Sequence, residues 1–350
     1  MGLTFIAQRG QTKSTNDRQF RDDRHTTDVQ YAFDEAIEIF IKAKEAEGVR
    51  KSAIKGYYDT VRYFQEWLRS DIEYINEVTS TIIREYINYL KNDRFPYQGD
   101  EKRERNKRGL SVYTINIRLR NLKAIFRFLP EEGVINKNPT RNIPLVKDDA
   151  HEEVQGLTDE EVDMILASYD DKLFAQWRDK TLVLLLLDTG LRINEAMSLT
   201  VNNVDFQQNT LYVPSAIAKN RKHREIPMSR EISKRLKQLV DETVQYFGDG
   251  SRIFMNAYGD DFTPDAFRKR LNRLKKKLNI TKLHPHMFRH TFARNYVLNG
   301  GDVFTLQKIL DHADIQTTGK YIQTDSEHLR QQHNKFSPVR RLFNRKNKRL

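Results

Sequence analysis

The side chains that could carry chemistry in this sequence are arginines, a lysine, histidines and a tyrosine, accompanied by one carboxylate. In chain order they are Arg192 with Glu195, Lys219, His286 with Arg289, His312 and Tyr321. The i, i+3 spacing of His286 and Arg289, directly behind Pro285, places both on one face of the first turn of a helix. Cationic groups of this kind suit a substrate that carries negative charge.

Each of these residues also has a simpler explanation. Arg192 and Glu195 could form an ordinary ion pair on a helix surface, and Lys219 could be a solvated lysine in a hairpin turn. A His-x-x-Arg pair is common by chance, and a tyrosine near the end of a helix is more often half-buried packing than a catalytic group. The residues therefore predict a function only when they are taken together.

Other reaction classes lack their motifs in this chain. The sequence has no cysteine, which excludes disulfides, thiolate nucleophiles and iron–sulfur clusters. It contains no glycine-rich phosphate loop, no HExxH helix, no EF-hand loop and no GxSxG turn. His284 and His286 lead to Arg289 rather than to a carboxylate or a third histidine at ligand spacing. We therefore predict no metal site.

The charge of the chain favours nucleic acid as the partner. The 350 residues carry 60 Lys and Arg against 48 Asp and Glu, a formal charge of +12. Basic clusters lie at 102–108, 268–282 and 331–350. A membrane surface fits less well, because no amphipathic helix with an aromatic-rich apolar face accompanies these clusters. The longest apolar run, 182–187, is far shorter than the ~20 residues that span a bilayer. With no basic-then-apolar leader, we expect a cytoplasmic, nucleoid-associated protein without a membrane partner.

Helical periodicity dominates the first part of the chain. Apolar residues recur at steps of three and four over 54–68 and 115–129, and two further helices fit 32–44 and 81–91. Residues 1–28 are polar, mixed in charge and poor in large apolar side chains, which predicts a flexible arm. Proline, glycine and an acidic patch interrupt the periodicity over 130–156, which predicts a linker.

The second part of the chain mixes helices with short strands. Thr158 and Glu161 form a capping box ahead of an apolar helical pattern, and the leucine-rich stretch 181–188 predicts a buried helix. Three short strands are predicted at 204–206, 210–213 and 224–228, separated by polar turns. Thr263-Pro264 predicts a helix start, and Gly300-Gly301 followed by Asp302 predicts the end of one helix and the cap of the next.

Four segments together resemble the tyrosine recombinases, the family of phage integrases and Xer proteins. The segment 189–199 (TGLRINEAMSL) is similar to the first arginine box, and 218–227 (AKNRKHREIP) resembles the β-hairpin of that family with its lysine. The segment 284–293 (HPHMFRHTFA) resembles the His-x-x-Arg box, and 306–321 resembles the last box with its histidine and tyrosine. The order and spacing of the boxes match over roughly residues 30–330.

The resemblance implies a fold and a set of domains. The fold is mainly α with a small antiparallel β-sheet, a helical core-binding domain preceding a mixed α/β catalytic domain. The implied boundaries are a flexible arm at 1–28, the core DNA-binding domain at 29–130, the linker at 131–156, the catalytic domain at 157–330 and a basic tail at 331–350.

The resemblance also implies transesterification at a DNA phosphodiester, with no cofactor. Tyr321 would attack phosphorus and form a 3′-phosphotyrosyl bond, which conserves the energy of the broken bond without ATP. Arg192 and Arg289 would bind the phosphate, because guanidinium groups stay charged and donate paired hydrogen bonds to its oxygens.

The remaining residues receive supporting roles by the same resemblance. His312 would be a third donor to the phosphate, and Lys219 would protonate the leaving 5′-oxygen. His286 would serve as base or proton relay, and Glu195 would orient Arg192 or His286.

The implied partner is double-stranded DNA with an inverted-repeat core site, held in a clamp between the two domains. Candidate DNA contacts are Lys51, Lys55, Arg118, Arg120, Lys222, Arg224, Arg268 and Arg273. We expect a dimer on one site, a tetramer in synapsis and an accessory protein that bends DNA. Phe336, Val339, Leu342 and Phe343 would anchor the tail on a neighbouring protomer.

Two departures from the family pattern affect the expected function. Asp311 stands where the family usually has glycine before the histidine, and its carboxylate is expected to alter how His312 is held or its proton affinity. The arm of 28 residues is too short for a separate arm-binding domain, which favours a simpler Xer-like or mobile-element recombinase.

Two alternatives remain open at this stage. One is a recombinase-derived DNA-binding protein without activity, and the other is a relative such as a type IB topoisomerase or a telomere resolvase. The intact set of candidate catalytic residues argues against the first alternative, and the close match to the integrase boxes argues against the second.

Overall fold

The chain folds as two units, Met1–His151 and Glu152–Leu350. The computed structural model describes residues 30–68, 72–96, 108–148, 156–248, 252–319, 330 and 333–339. Within these residues the fold is mainly helical with one small antiparallel sheet, which confirms the predicted fold class.

The described part of the first unit is built from α-helices. They are α1 (Phe33–Ala46), α2 (Lys51–Leu68), α3 (Ser80–Asn92) and α4 (Val112–Glu131), with a 3₁₀ turn at Ile75–Glu77. Thr79 and Ser111 cap the N-termini of α3 and α4, because their side-chain oxygens accept hydrogen bonds from backbone N–H groups of the first turn. These N–H groups have no partner within the helix. The apolar stripes that predict these helices meet in one core, which includes Phe40, Phe64, Ile83, Ile115 and Phe126.

The segment after α4 packs onto the first unit, although the sequence predicts a linker from residue 131. Three of its apolar residues are buried in the core of that unit: Val134, Ile135 and Ile143. The Asn116 side chain also donates to and accepts from the backbone of Val146, at 2.9 Å in each direction. Proline and glycine end the helical periodicity here, but they do not prevent an irregular segment from burying its apolar side chains.

The described part of the second unit holds the remaining helices. They are α5 (Asp159–Ala167), α6 (Phe174–Thr189), α7 (Ile193–Met197), α8 (Arg230–Phe247), α9 (Pro264–Leu278), α10 (Pro285–Leu298), α11 (Val303–Leu310) and α12 (Ile315–Gly319). The predicted start signals are confirmed: Thr158 and Glu161 cap α5 reciprocally, Thr263 caps α9 and Asp302 caps α11. The leucine-rich stretch is helical and lies in the core of the unit.

A three-stranded antiparallel sheet in the order β1-β2-β3 completes the second unit. Its strands are β1 (Val204–Asp205), β2 (Thr210–Val213) and β3 (Arg224–Pro227). Leu211 and Ile226 pair across β2 and β3, and both side chains are buried. The connection between these two strands, residues 214–223, carries Lys219.

Several predicted features lie outside the described residues. They are the arm at 1–28, residues 102–107 of the first basic cluster, Tyr321, and residues 331–332 and 340–350 of the tail. Two of the proposed tail anchors, Phe336 and Val339, are described, and both side chains are exposed. None of the helices in the described ranges has the length and apolar character that a bilayer crossing requires.

Candidate active site

A tight turn after α6 places Arg192 at the start of α7. Gly190 in this turn has a φ of +63°, a left-handed conformation that favours glycine. A Cβ on this residue would clash with the Phe292 ring and would lie 2.7 Å from the Leu310 side chain. Both the backbone conformation and the packing of α10 and α11 therefore require glycine here.

Glu195 is a buried carboxylate that binds two arginines. Its oxygens accept from the backbone N–H of Arg192 at 3.1 Å and from Arg192 Nη1 at 3.0 Å. They also accept from Arg224 Nη2 at 2.7 Å. Burial alone would raise the pKa of Glu195, but the hydrogen bond and charge of Arg224, helped by Arg192, hold it below the ordinary value. Glu195 is therefore an anion that fixes both guanidinium groups.

Arg289 reaches the same region from α10. Its buried guanidinium donates from Nη1 to the Gly190 carbonyl at 2.8 Å and from Nη2 to the Leu310 carbonyl at 2.6 Å. Arg192 Nη2 donates to the next carbonyl along the chain, that of Asp311, at 3.0 Å. The two arginines, 97 positions apart in the sequence, thus meet at the end of α11.

His312 follows Asp311 in the chain, and its ring contacts Thr318 of α12. Its Nδ1 lies 2.9 Å from Thr318 Oγ1. Burial and the charges of Arg289 and Arg192 lower the pKa of His312 to about 4, against a small opposing effect of Asp311. His312 is therefore neutral at pH 7. When Nδ1 accepts the Thr318 hydroxyl, the ring carries its proton on Nε2 and can donate it.

His286 lies close enough to Arg289, Arg192 and Lys219 for their charges to affect its pKa. Partial desolvation, and then the charge of Arg289, lower the pKa of His286, with smaller contributions from Arg192 and Lys219. The His286 ring keeps contact with solvent, as does the Lys219 side chain. The backbone N–H of Lys219 points to Glu195 Oε1 at 3.4 Å, so the hairpin is linked to the arginine box.

Asp311 occupies a backbone conformation that explains why glycine suits this position. It ends α11 with a φ of +53°. Its Oδ2 atom lies 3.5 Å from Arg192 Nη1 and 3.8 Å from Arg224 Nη1. The carboxylate therefore faces the arginines of the site, and it raises the pKa of His312 by less than Arg289 or Arg192 lowers it.

Arg224 has a different place from the one that the sequence predicts. The sequence places it on the DNA surface, but its side chain is only 9% exposed and binds Glu195. Its Nε also donates to the Ile309 carbonyl at 3.2 Å. The sequence does not indicate this pairing, nor the parts played by Asn220, which donates to the Asp311 carbonyl at 2.9 Å, and Thr318.

The other candidate DNA contacts fall into two groups. Six are exposed: Lys51, Lys55, Arg120, Lys222, Arg268 and Arg273, of which Arg268 pairs with Asp265. Arg118 is half-buried, and its guanidinium carbon lies 4.2 Å from the centre of the Tyr63 ring. Arg118 is therefore partly engaged inside the first unit.

Two family models match the chain over both units. The model of the phage integrase family matches residues 155–328. The model of the phage integrase SAM-like domain matches residues 32–145. The first match contains every candidate catalytic residue.

Individual relatives agree with these matches. The tyrosine recombinase XerC of Oceanobacillus iheyensis is 27% identical over 311 residues, which cover 86% of this chain and 95% of the relative. The fold is similar to that of the Tn1549 transposon integrase in complex with a circular intermediate DNA, with a TM-score of 0.67, 22% identity and coverage of 86% of this chain and 99% of that chain. The fold is also similar to that of the XerH site-specific recombinase bound to a palindromic difH substrate, with a TM-score of 0.62 and 20% identity. The match covers 85% of this chain and 83% of that chain. The chain belongs to the phage integrase family and is a tyrosine recombinase.

Proposed function

We propose that this protein recombines duplex DNA at a specific site, with Tyr321 as nucleophile and with the residues around the end of α11 as the phosphate-binding site. The observation that supports this assignment is the convergence of Arg192 and Arg289 on adjacent backbone carbonyls beside His312. Three segments that are far apart in the sequence thereby present two guanidinium groups and a neutral imidazole at one place.

The chemistry follows from the groups present. The Tyr321 hydroxyl attacks phosphorus, the bond to the 5′-oxygen breaks, and the 3′-phosphate becomes linked to the tyrosine. Arg192, Arg289 and the Nε2–H of His312 donate to the non-bridging oxygens, where negative charge develops. The 5′-hydroxyl of the partner strand then attacks the phosphotyrosyl bond, which releases Tyr321 and rejoins the DNA.

Two further groups move the protons. Lys219, at an exposed position on the hairpin, gives a proton to the leaving 5′-oxygen and recovers it in the joining step. His286 has a lowered pKa, so it is neutral at pH 7 and can accept the proton of the Tyr321 hydroxyl. Glu195 touches none of the reacting atoms and is a positioning residue for Arg192.

The biological setting that we propose is integration and excision of a mobile element or resolution of chromosome dimers. The names of similar proteins include both a transposon integrase and XerC recombinases. In this setting the protein works in the cytoplasm on an inverted-repeat core site, as a dimer that pairs into a tetramer, with an accessory DNA-bending protein. The alternatives are an inactive DNA-binding protein and a topoisomerase-like enzyme.

The test is a cleavage reaction on supercoiled plasmid that carries the DNA flanking the gene of this protein, in EDTA and without ATP. We expect an SDS-resistant protein–DNA adduct at one site, absent with Tyr321→Phe and present with the matched control Tyr296→Phe, a change in a partly buried ring of α10. Binding without an adduct at any site would support the inactive alternative. Plasmid relaxation without site preference would support the topoisomerase alternative.

A further inference from the structure

Asp311 brings a second carboxylate into the candidate active site. Its side chain is 15% exposed, and its Oδ2 lies 3.5 Å from Arg192 Nη1 and 3.8 Å from Arg224 Nη1. Oδ2 is buried and has no hydrogen-bond partner among the residues that the structure describes. The carboxylate is therefore attracted by two guanidinium groups but is not locked onto either of them.

Aspartate is an unfavourable residue for this position. A left-handed backbone conformation is strained for residues other than glycine, although aspartate tolerates it better than most. A buried carboxylate oxygen without a hydrogen bond adds a desolvation cost. Glycine would avoid both costs, so neither the backbone conformation nor hydrogen bonding explains the side chain of Asp311.

Nor is the carboxylate needed to hold the arginines in place. The backbone carbonyl of Asp311 accepts from Arg192 Nη2 and Asn220 Nδ2 at 3.0 and 2.9 Å, and any residue provides a carbonyl. Glu195 already binds Arg192 and Arg224 with proper hydrogen-bond geometry. What the Asp311 side chain adds is a negative charge beside the group that must receive the phosphate.

We propose that Asp311 is an intramolecular competitor of the scissile phosphate. In the DNA-free protein its carboxylate neutralises part of the charge of Arg192 and Arg224, and it must move away or be overcome before a phosphate can bind there. This role rests on the proposed function, because it assumes that Arg192 binds the scissile phosphate. It makes Asp311 a restraint on phosphate binding and hence on cleavage.

The first measurement does not depend on catalysis. Inorganic phosphate is titrated into the full-length protein while the Nε–H signals of Arg192 and Arg224 are followed by NMR, in the wild type, Asp311→Asn and Asp311→Gly. Both substitutions tolerate the left-handed backbone, so the fold is kept. We expect the two variants to bind phosphate at least about fivefold more tightly, because one nearby negative charge is removed. Equal or weaker binding in both variants overturns the proposal.

The second measurement uses a nicked suicide duplex that carries the mapped cleavage site. We expect single-turnover adduct formation by both variants to be about tenfold faster than by the wild type. The control is Glu225→Gln, which removes an exposed carboxylate from the neighbouring position on β3 and should leave the rate unchanged. Slower cleavage by both variants would make Asp311 a positioning residue and overturn the proposal. Tighter phosphate binding with no adduct in any protein, wild type included, would instead refute the proposed function.

Discussion

Arg224 shows that the role of a residue depends on the partner that it meets in the fold. Its spacing beside Lys222 suggests a DNA contact, yet it pairs with the buried Glu195 at 2.7 Å. Lysine at this position would keep the charge but lose the planar pair of donors. Arg224→Lys should therefore destabilise the second unit by about 1–3 kcal/mol and slow cleavage at least about tenfold.

Urea unfolding and single-turnover cleavage measure the two effects of Arg224→Lys. The matched control is Lys222→Ala, an exposed change on the same hairpin, which should weaken DNA binding without loss of stability. Wild-type stability in Arg224→Lys would show that Glu195 does not depend on this pair.

His312 gives the site a defined response to acid. Burial, with the charges of Arg289 and Arg192, lowers its pKa to about 4 in the folded chain, whereas an unfolded histidine titrates near 6.5. The unfolded chain therefore binds an extra proton between these two values. The stability contributed by neutral His312 is complete above about pH 6.5 and is lost as the pH falls toward 4.

Two measurements test this response. The His312 ring signals in NMR should not titrate between pH 7.5 and about 5, and acidification over that range should lower the stability of His312→Gln less than that of the wild type. A ring that titrates near 6.5 would show that His312 is not desolvated beside the arginines.

At the level of elements, the turn between α6 and α7 contributes both to the stability of the second unit and to the position of Arg289 in the candidate active site. Gly190→Ala would force a side chain against Phe292 and Leu310 and would shift the carbonyl that binds Arg289. We expect a loss of about 2–4 kcal/mol, from overpacking added to backbone strain. Cleavage should fall with it, because Arg289 loses a fixed partner.

Gly48→Ala is the control for the strain alone. Gly48 has a φ of +71°, but among the described residues no atom lies within 4 Å of an added Cβ. Its substitution should cost only about 1 kcal/mol in the first unit. Equal losses in the two variants, each read from the urea transition of its own unit, would mean that packing around Gly190 is loose.

Local patterns predict the elements, but not the contacts between them. The helix starts at Thr158, Thr263 and Asp302 can be predicted because an N-cap side chain binds the backbone N–H of a residue only three positions further along the chain. The contact from Arg192 to the Asp311 carbonyl joins positions 119 apart. The family resemblance assigns the two segments to one site, but no local pattern in either segment predicts this contact. The packing of 133–148 could not be predicted for a different reason. Its apolar residues follow neither a helical nor a strand period, so the sequence does not show that they are buried in the core of the first unit.

At the scale of the whole molecule, the net charge of +12 is not spread evenly. Two clefts in the first unit share Asn138 and Arg141, and no acidic residue lines either of them within the described part of the chain. The cations that line them are Arg84, Arg120, Lys123, Arg127, Lys137 and Arg141. Apart from Arg120, these are not the DNA-binding residues that the sequence suggests. Lys123 already donates to the Thr140 and Ile143 carbonyls, so we expect the five other cations to be the ones that bind phosphates.

The salt dependence of DNA binding tests this surface. When Arg120, Arg127 and Arg141 are all replaced by glutamine, the slope of log affinity against log salt should fall by roughly 0.9 for each phosphate that the protein no longer neutralises. A control with Lys42, Lys234 and Lys237 replaced by glutamine removes the same charge from exposed positions outside the clefts. If net charge alone drives binding, both triple variants will lose slope equally; if the clefts bind the backbone, only the first will. The measurement uses duplex DNA and protein with Tyr321→Phe, so that binding is separated from cleavage.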